Sequence, residues 1–90
     1  MKVQLTVTGA WNHPEIVPGE PLTLVKEPHN SYDDEAVQVL AQDGVPRGYV
    51  ANAYKTRRRG SYSASRVYDR LLSKHPAVAV SADIIEIEVE

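Results

Sequence analysis

The feature that most constrains the fold is a strict alternation of apolar and polar residues near both ends of the chain. In "KVQLTVT", residues 2–8, Val3, Leu5 and Val7 alternate with polar side chains, and "IEIEVE" at residues 85–90 repeats the pattern. Successive side chains of a β-strand point to opposite faces of a sheet, so this period predicts half-buried strands. A chain of 90 residues without cysteine has no disulfides and is long enough for one compact core only. We therefore expect a single domain, residues 1–90, stabilised by packing.

Three further strands are predicted in the first half of the chain. They are "PLTLVKE" (residues 21–27), "AVQVLA" (36–41) and "PRGYVA" (46–51). The pair "DG" at residues 43 and 44 is a strong hairpin signal between the last two of them. The segment from Gly9 to Gly19 contains two prolines and predicts a loop.

One helix is predicted, over residues 63–75. The apolar and aromatic residues of this segment recur at helical spacing and would form the buried face: Ala64, Val67, Tyr68, Leu71 and Leu72. Pro76 is expected to end the helix, with Lys74 and His75 at its positively charged C-terminal turn. Residues 77–90 then predict strands, with Ile85, Ile87 and Val89 pointing inward. Five or six short strands and one main helix predict a mostly β protein, either a small antiparallel barrel or a curled sheet.

The net charge of -2 conceals an uneven distribution of charge along the chain. Residues 55–75 contain one acid, Asp69, and seven of the ten basic residues: Lys55, Arg57, Arg58, Arg59, Arg66, Arg70 and Lys74. Such a concentration predicts a face that attracts phosphate groups, with Lys55, Arg57, Arg58, Arg59 and Arg66 as the candidate contacts. For the run at residues 55–59, a solvated loop without a ligand is an equally open interpretation.

Motifs for catalysis or metal binding are lacking. The histidines at positions 13, 29 and 75 do not have the i, i+4 spacing that places two metal ligands on one helix face. The acidic run at residues 33–35 lacks the spaced oxygen ligands of a calcium loop, so a solvated turn is favoured over a cation site. There is no nucleophile elbow and no glycine-rich phosphate loop. We therefore expect no enzymatic activity, no metal and no cofactor.

The N-terminus gives no sign of targeting to a membrane or to secretion. Its alternating residues do not form the unbroken apolar region of a signal peptide, and no apolar run approaches the roughly 20 residues that a membrane span needs. We expect a cytoplasmic protein.

The polar stretch at residues 26–50 resembles a known family. In "LTLVKEPHNSYDDEAVQVLAQDGVPRGYV" a strand is followed by Glu/Asp-Pro-x-Asn-x-Tyr-Asp-x-x-Ala-Ile/Val, a hairpin and a Gly-aromatic-hydrophobic close, which is the pattern of the HIRAN domain. The matching positions are Glu27, Pro28, Asn30, Tyr32, Asp33, Ala36, Val37, Gly44, Gly48, Tyr49 and Val50. Gly9 and Trp11 resemble the opening Gly-x-x-aromatic segment of the family. The resemblance covers about residues 3–80.

The resemblance implies an OB-like barrel that binds DNA. HIRAN domains occur with repair helicases of the SNF2 type and in nuclease-associated proteins, and the studied eukaryotic members bind single-stranded DNA at a free 3′ end. By this resemblance Tyr32 would lie against the terminal base, and Asp33, supported by Asn30, would accept a hydrogen bond from the 3′-hydroxyl. Tyr49 would line the same groove. The implied partners are single-stranded DNA and a helicase or nuclease chain in trans, with this protein a monomer.

Two segments depart from the family pattern. The eukaryotic members have an arginine and paired tyrosines where this chain has "AWNH", residues 10–13. Trp11 and His13 are then the candidate nucleic-acid contacts of this segment, and Trp11 and Tyr49 are the candidates for base stacking. A phosphate-contacting lysine of those members is replaced here by Ala51 or Asn52. The positive charge would then come from residues 55–59.

The residues themselves leave other interpretations open. Asn30 and Asp33 are frequent turn formers whatever the function, because their side chains bond nearby backbone amides. Tyr32 and Tyr49 could be edges of the core, and Trp11 could be buried against the barrel as readily as exposed for stacking. The main alternative function is a protein-interaction or structural barrel that has lost the end pocket.

Overall fold

The computed structural model describes residues 1–9 and 16–90, and six antiparallel strands close into a barrel within them. The strands are β1 (Lys2–Thr8), β2 (Pro21–Glu27), β3 (Ala36–Ala41), β4 (Pro46–Val50), β5 (Lys74–Ala79) and β6 (Ile84–Glu88). Around the barrel they follow the order β1-β4-β3-β2-β5-β6. The prediction of a small, mostly β, OB-like antiparallel barrel is confirmed.

The apolar positions of the alternating strands meet inside the barrel. Leu5 and Ile85 are fully buried, and the same core contains side chains from all six strands. Ile87 and Val89 point inward as predicted. Burying a side chain of this size contributes about 1.5 to 3 kcal/mol to folding. A shift of a strand by one residue would expose all of its apolar side chains, so the alternation fixes which face of each strand is buried.

Strand β1 closes the barrel because one of its edges pairs with β6 and the other pairs with β4. Its first five residues pair with β6, and its last two pair with β4. Beyond the end of β4, the segment of residues 51–62 is hydrogen-bonded at both of its ends to the middle of β1. The amide of Ala51 donates to the carbonyl of Thr6 at 2.7 Å, and the amide of Tyr62 donates to that of Gln4 at 2.8 Å. The segment that contains four of the ten basic residues is therefore hydrogen-bonded to the barrel wall.

The predicted hairpin between β3 and β4 is confirmed. Asp43 Oδ1 accepts a hydrogen bond from the amide of Val45 at 2.9 Å, and Gly44 adopts a positive φ of 83°. The hydrogen bond of the aspartate side chain and the positive φ of the glycine thus form the turn that the Asp-Gly pair predicts.

The prediction of a helix over residues 63–75 is wrong in its length. The structure has a four-residue helix, α1 (Ala64–Val67), and then a single 3₁₀ turn (Tyr68–Arg70). Leu72, expected on the buried face, is 62% exposed, and β5 begins at Lys74, inside the predicted helix. No helical segment among residues 1–9 and 16–90 has the length or the apolar composition to span a bilayer.

The helix stops because the edge of β2 that does not pair with β3 needs a backbone partner, and residues 73–78 supply it. Strand β2 pairs with β5 from Val25 opposite Lys74 to Pro21 opposite Val78, and the amide of Lys26 donates to the carbonyl of Ser73. A helix that continued to residue 75 would leave these backbone groups of β2 without partners, which costs more than the helix gains.

Pro76 lies inside β5, not at the end of a helix, and the side chain of His75 supplies the hydrogen bond that the proline cannot make. Continuing the register of β5 and β6 by two residues places Pro76 opposite Glu88. Proline has no N–H, but Nε2 of His75 lies 2.8 Å from the carbonyl oxygen of Glu88. The amide of Leu72 donates to Nδ1 at 3.1 Å, so Nε2 carries the proton and donates. His75 is a buried residue of the barrel seam and not the helix-terminal residue predicted.

Candidate nucleic-acid interface

The polar turn that follows β2 borders an open cleft of ≈ 530 Å³ at one end of the barrel. The cleft lies where β2 ends, β3 begins and β4 ends. Residues of the turn and residues that follow β4 line it together: Asn30, Tyr32, Asp33, Ala36, Tyr49, Val50, Asn52, Ala53 and Thr56. The structure thus brings together the three residues predicted for the end pocket, Asn30, Tyr32 and Asp33, and Tyr49, which was predicted to line the same groove.

Asn30 organises the turn through its side chain. Its Oδ1 accepts hydrogen bonds from the amides of Tyr32 at 2.8 Å and Asp33 at 3.1 Å. Its Nδ2 donates to Oε1 of Glu27, at the end of β2, at 3.0 Å. The interpretation of Asn30 as a turn former is confirmed, and it positions Asp33 through the backbone.

The carboxylate of Asp33 is held at the cleft wall by two hydrogen bonds. Oδ1 accepts from the amide of Glu35 at 2.9 Å, and Oδ2 accepts from Nδ2 of Asn52 at 3.3 Å. A carboxylate offers about four lone-pair positions, so two accepted bonds leave room for the donor of a ligand. The side chain is only half-buried. Asp33 is a turn former and an accessible acceptor at the same time.

Asn52 is a cleft residue that the sequence did not identify as a site residue. Besides its bond to Asp33, its Oδ1 accepts from the amide of Ser65, in α1, at 2.9 Å. It therefore fixes the acidic turn to the short helix. Its only signal in the sequence is its place two residues after the Gly-aromatic-hydrophobic close, where Ala51 or Asn52 replaces a lysine of the family pattern.

The two tyrosines of the cleft differ in exposure. Tyr32 is 97% exposed, so it is not an edge of the core, and its ring is open to a ligand. Tyr49 is half-buried, and its hydroxyl donates to Oε1 of Glu27 at 2.8 Å. Burial raises the pKa of Tyr49, and the hydrogen bond to Glu27 and the charge of that carboxylate raise it further. Tyr49 is a fixed wall of the cleft, whereas Tyr32 projects from its rim.

Negative charge gathers on the side of the cleft that the turn forms. The pKa of Tyr68 is raised first by burial and then by the negative charges of Asp34, Glu35, Asp69 and Asp33. Lys26 places its ammonium 4.6 Å from the centroid of the Tyr68 ring, which is a cation–π contact beside these acids. A phosphate would be repelled on this side of the cleft.

Positive charge lies on the opposite side, in residues 54–60, which we call the basic segment. It begins with a 3₁₀ turn (Tyr54–Thr56), and both Ala53 and Thr56 line the cleft. A second depression of ≈ 530 Å³ lies next to it, lined by Tyr54, Lys55, Arg57, Arg58, Arg59 and Gly60. None of these lining residues is acidic. The surface therefore changes from negative to positive across the cleft.

The four cations of the basic segment are not equally available. Arg58 forms an ion pair with Asp83, with Nη2 2.6 Å from Oδ2. Arg57 is half-buried and donates to the carbonyl of Ser61. Lys55 and Arg59 are exposed and form no ion pair with residues 1–9 or 16–90. They are the side chains best placed to meet a phosphate.

Three predicted site residues are not part of this arrangement as described. The guanidinium of Arg66 lies 3.9 Å from the centroid of the Tyr62 ring and borders a smaller depression that also includes Arg70. Trp11 and His13 lie outside the described residues. Among the residues that the structure does describe, no three potential metal ligands cluster together.

A small closed barrel with a polar cleft, an exposed aromatic ring and an adjacent basic surface has the architecture of a nucleic-acid-binding module. Comparison with known families agrees with this class, because the family model described as HIRAN domain matches residues 2–81. The chain belongs to the HIRAN domain family, a family of DNA-binding modules. No curated protein and no solved structure matches the chain significantly.

Proposed function

We propose that this protein is a non-enzymatic module that binds single-stranded DNA at a free 3′-hydroxyl end. The observation that carries the proposal is the convergence of Asn30, Tyr32, Asp33 and Tyr49 on one cleft beside the basic segment. A carboxylate only accepts hydrogen bonds, so Asp33 suits a terminal hydroxyl and disfavours a phosphate in the same place. Tyr32 offers an exposed ring, and stacking on such a ring is worth about 1 to 3 kcal/mol per base.

The charge distribution supports one orientation of the strand. The terminal hydroxyl lies at Asp33, on the negative side of the cleft, and the phosphates lead away towards Lys55 and Arg59. In the opposite orientation the phosphates would run past the acids of residues 33–35. The basic segment attracts phosphates and the acids of the turn repel them, so the cleft favours the end of a strand over an internal segment.

The biological role that we propose is recognition of DNA ends during repair or processing in the cytoplasm. The association of the family with helicases and nucleases supports a partner chain of that kind, which would supply the catalysis. The module itself would act as a monomer.

Titration of three labelled oligonucleotides tests the proposal. They carry the same sequence as a strand with a 3′-hydroxyl, a strand with a 3′-phosphate and a closed circle without an end. We expect the 3′-hydroxyl strand to bind at least about 10-fold more tightly than the other two in fluorescence anisotropy, since a hydrogen bond to a charged group contributes about 1.5 to 3 kcal/mol. Equal affinities would contradict end recognition. Absence of binding to all three would favour the protein-interaction barrel.

The salt dependence of binding should identify the phosphate contacts. Each neutralised phosphate contributes roughly -0.7 to the slope of log affinity against log salt for single strands, so two or three contacts give about -1.4 to -2.1. Replacing Lys55 and Arg59 together by alanine should flatten the slope by about 1.4. Arg58→Ala is the control, because the ion pair with Asp83 already engages that side chain. A slope that the double replacement leaves unchanged would make the basic segment a solvated loop.

A further inference from the structure

We propose that Tyr54 is a second platform for base stacking, so that the protein recognises a tail of at least two unpaired nucleotides and not a terminal nucleotide alone. This inference rests on the proposed 3′-end function and assigns to that function a residue outside the predicted pocket. Tyr54 is 85% exposed although it is a large aromatic residue. Packing of the barrel does not account for its position, because no part of the core depends on it.

The location of Tyr54 connects the cleft with the phosphate-binding surface. Its neighbours Ala53 and Thr56 line the cleft, while Tyr54 and Lys55 line the basic depression. A strand that left the cleft towards the exposed cations would pass this turn. The ring therefore lies where the base of a nucleotide on the 5′ side of the terminal one would need a partner.

The turn that presents Tyr54 is fastened to the barrel. The amide of Thr56 donates to the carbonyl of Ala53 at 3.1 Å, which closes the 3₁₀ turn. The amide of Arg58 donates to Oγ1 of Thr6, on β1, at 2.8 Å, and its guanidinium holds Asp83. A ring on a fixed turn loses little conformational entropy when a ligand stacks on it.

The chemistry around Tyr54 suits a nucleotide. The guanidinium carbon of Arg57 is 5.9 Å from the centroid of the Tyr54 ring, near the outer limit of a cation–π contact, so the ring remains open to a ligand. Cations follow it in sequence at positions 55, 57, 58 and 59, and no acid lines the same depression. An aromatic face among cations binds bases and phosphates together and is tolerant of sequence. The combination favours single-stranded nucleic acid over a protein partner.

A set of oligonucleotides with one abasic site tests the inference. All carry a 3′-hydroxyl, and the abasic site occupies the first, second, third or fourth position from that end. With the unmodified protein we expect affinity to fall about 10-fold for the terminal site and again for one internal site. Tyr54→Ala should bind the intact strand about 10-fold more weakly and lose its sensitivity to the internal site only. Tyr54→Phe should behave as the unmodified protein.

Tyr32→Ala is the matched control, because it should remove sensitivity to the terminal abasic site and leave the internal one. Both variants should melt at the temperature of the unmodified protein, since both side chains are exposed. If Tyr54→Ala binds every strand as the unmodified protein does while the 3′-hydroxyl preference persists, the inference is overturned and the proposed function stands. If the unmodified protein binds no oligonucleotide, the proposed function fails as well.

Discussion

Replacing Asp33 by alanine should abolish the distinction between 3′-hydroxyl and 3′-phosphate ends. The variant loses the acceptor for the terminal hydroxyl, so its affinity for the 3′-hydroxyl strand should fall by about 1.5 to 3 kcal/mol, or roughly 10- to 150-fold. Its affinity for the 3′-phosphate strand should change much less. That ligand never donates a terminal hydroxyl to Asp33, and the substitution removes the repulsion between its phosphate and the carboxylate. Anisotropy titrations of both strands at one salt concentration measure the difference.

Two further variants separate end recognition from the structural role of Asp33. Asp34→Ala removes the same charge from the same turn at an exposed position, and end discrimination should persist. Asp33→Asn retains an oxygen for the amide of Glu35 but removes the charge, so the turn should survive while discrimination falls. Equal weakening of Asp33→Ala for both ends would show that Asp33 is only a turn residue. The same conclusion would follow if Asp33→Asn discriminated between the ends as the unmodified protein does.

Gly48→Ala should destabilise the barrel by about 3 to 5 kcal/mol, because overpacking and a positive φ act at the same position. Gly48 lies in β4, next to the residues that pair with β1, and has a φ of 136°. An added Cβ would overlap the carbonyl oxygen of Thr8 and lie 2.9 Å from Cγ1 of Val7. The oxygen belongs to a paired strand and cannot move away alone. Thermal unfolding followed by circular dichroism should show a midpoint at least about 12 °C lower.

Gly44→Ala is the control for the backbone conformation. Gly44 also has a positive φ, 83°, but an added Cβ would meet nothing within 4 Å. It should cost only about 1 to 2 kcal/mol. Equal destabilisation by the two substitutions would mean that the contact with β1 does not limit closure of the barrel. The glycine of the Gly-aromatic-hydrophobic close is therefore explained by the fold, since it lets β1 and β4 approach each other.

The part of the site that could be predicted is the part built from local interactions. Asn30 and Asp33 bond amides two or three residues away, so their pattern is visible in a short stretch of sequence. Asn52 and Tyr54 come from a segment whose position depends on the end of β4 and on Thr6 in β1. Since nothing local fixes that segment against the cleft, the sequence identified neither Asn52, which lines the cleft, nor Tyr54, which we propose as a stacking platform.

The sequence also could not show which cations of the basic segment are available to a ligand. Residues 55–59 contain four positive charges within five positions, and the sequence does not distinguish among them. The ion pair between Arg58 and Asp83 joins residues 25 positions apart, and it leaves Lys55 and Arg59 as the exposed cations of the segment without an ion pair among the residues described. Only the folded chain brings Asp83 to the segment.

The sequence alone determined strands β1 to β4 and β6, their buried faces and the two turns that join β2, β3 and β4, because these follow from the two-residue period of a strand and from the local bonds of Asn, Asp and Gly. The tertiary structure decided how residues 63–79 are divided. Their apolar spacing favours a helix, yet β2 needs a backbone partner along its edge, and Ser73 to Val78 provide it. His75 then replaces the bond that Pro76 cannot make at the barrel seam. Hydrogen bonds between distant strands outweighed a local periodicity, and no local pattern records them.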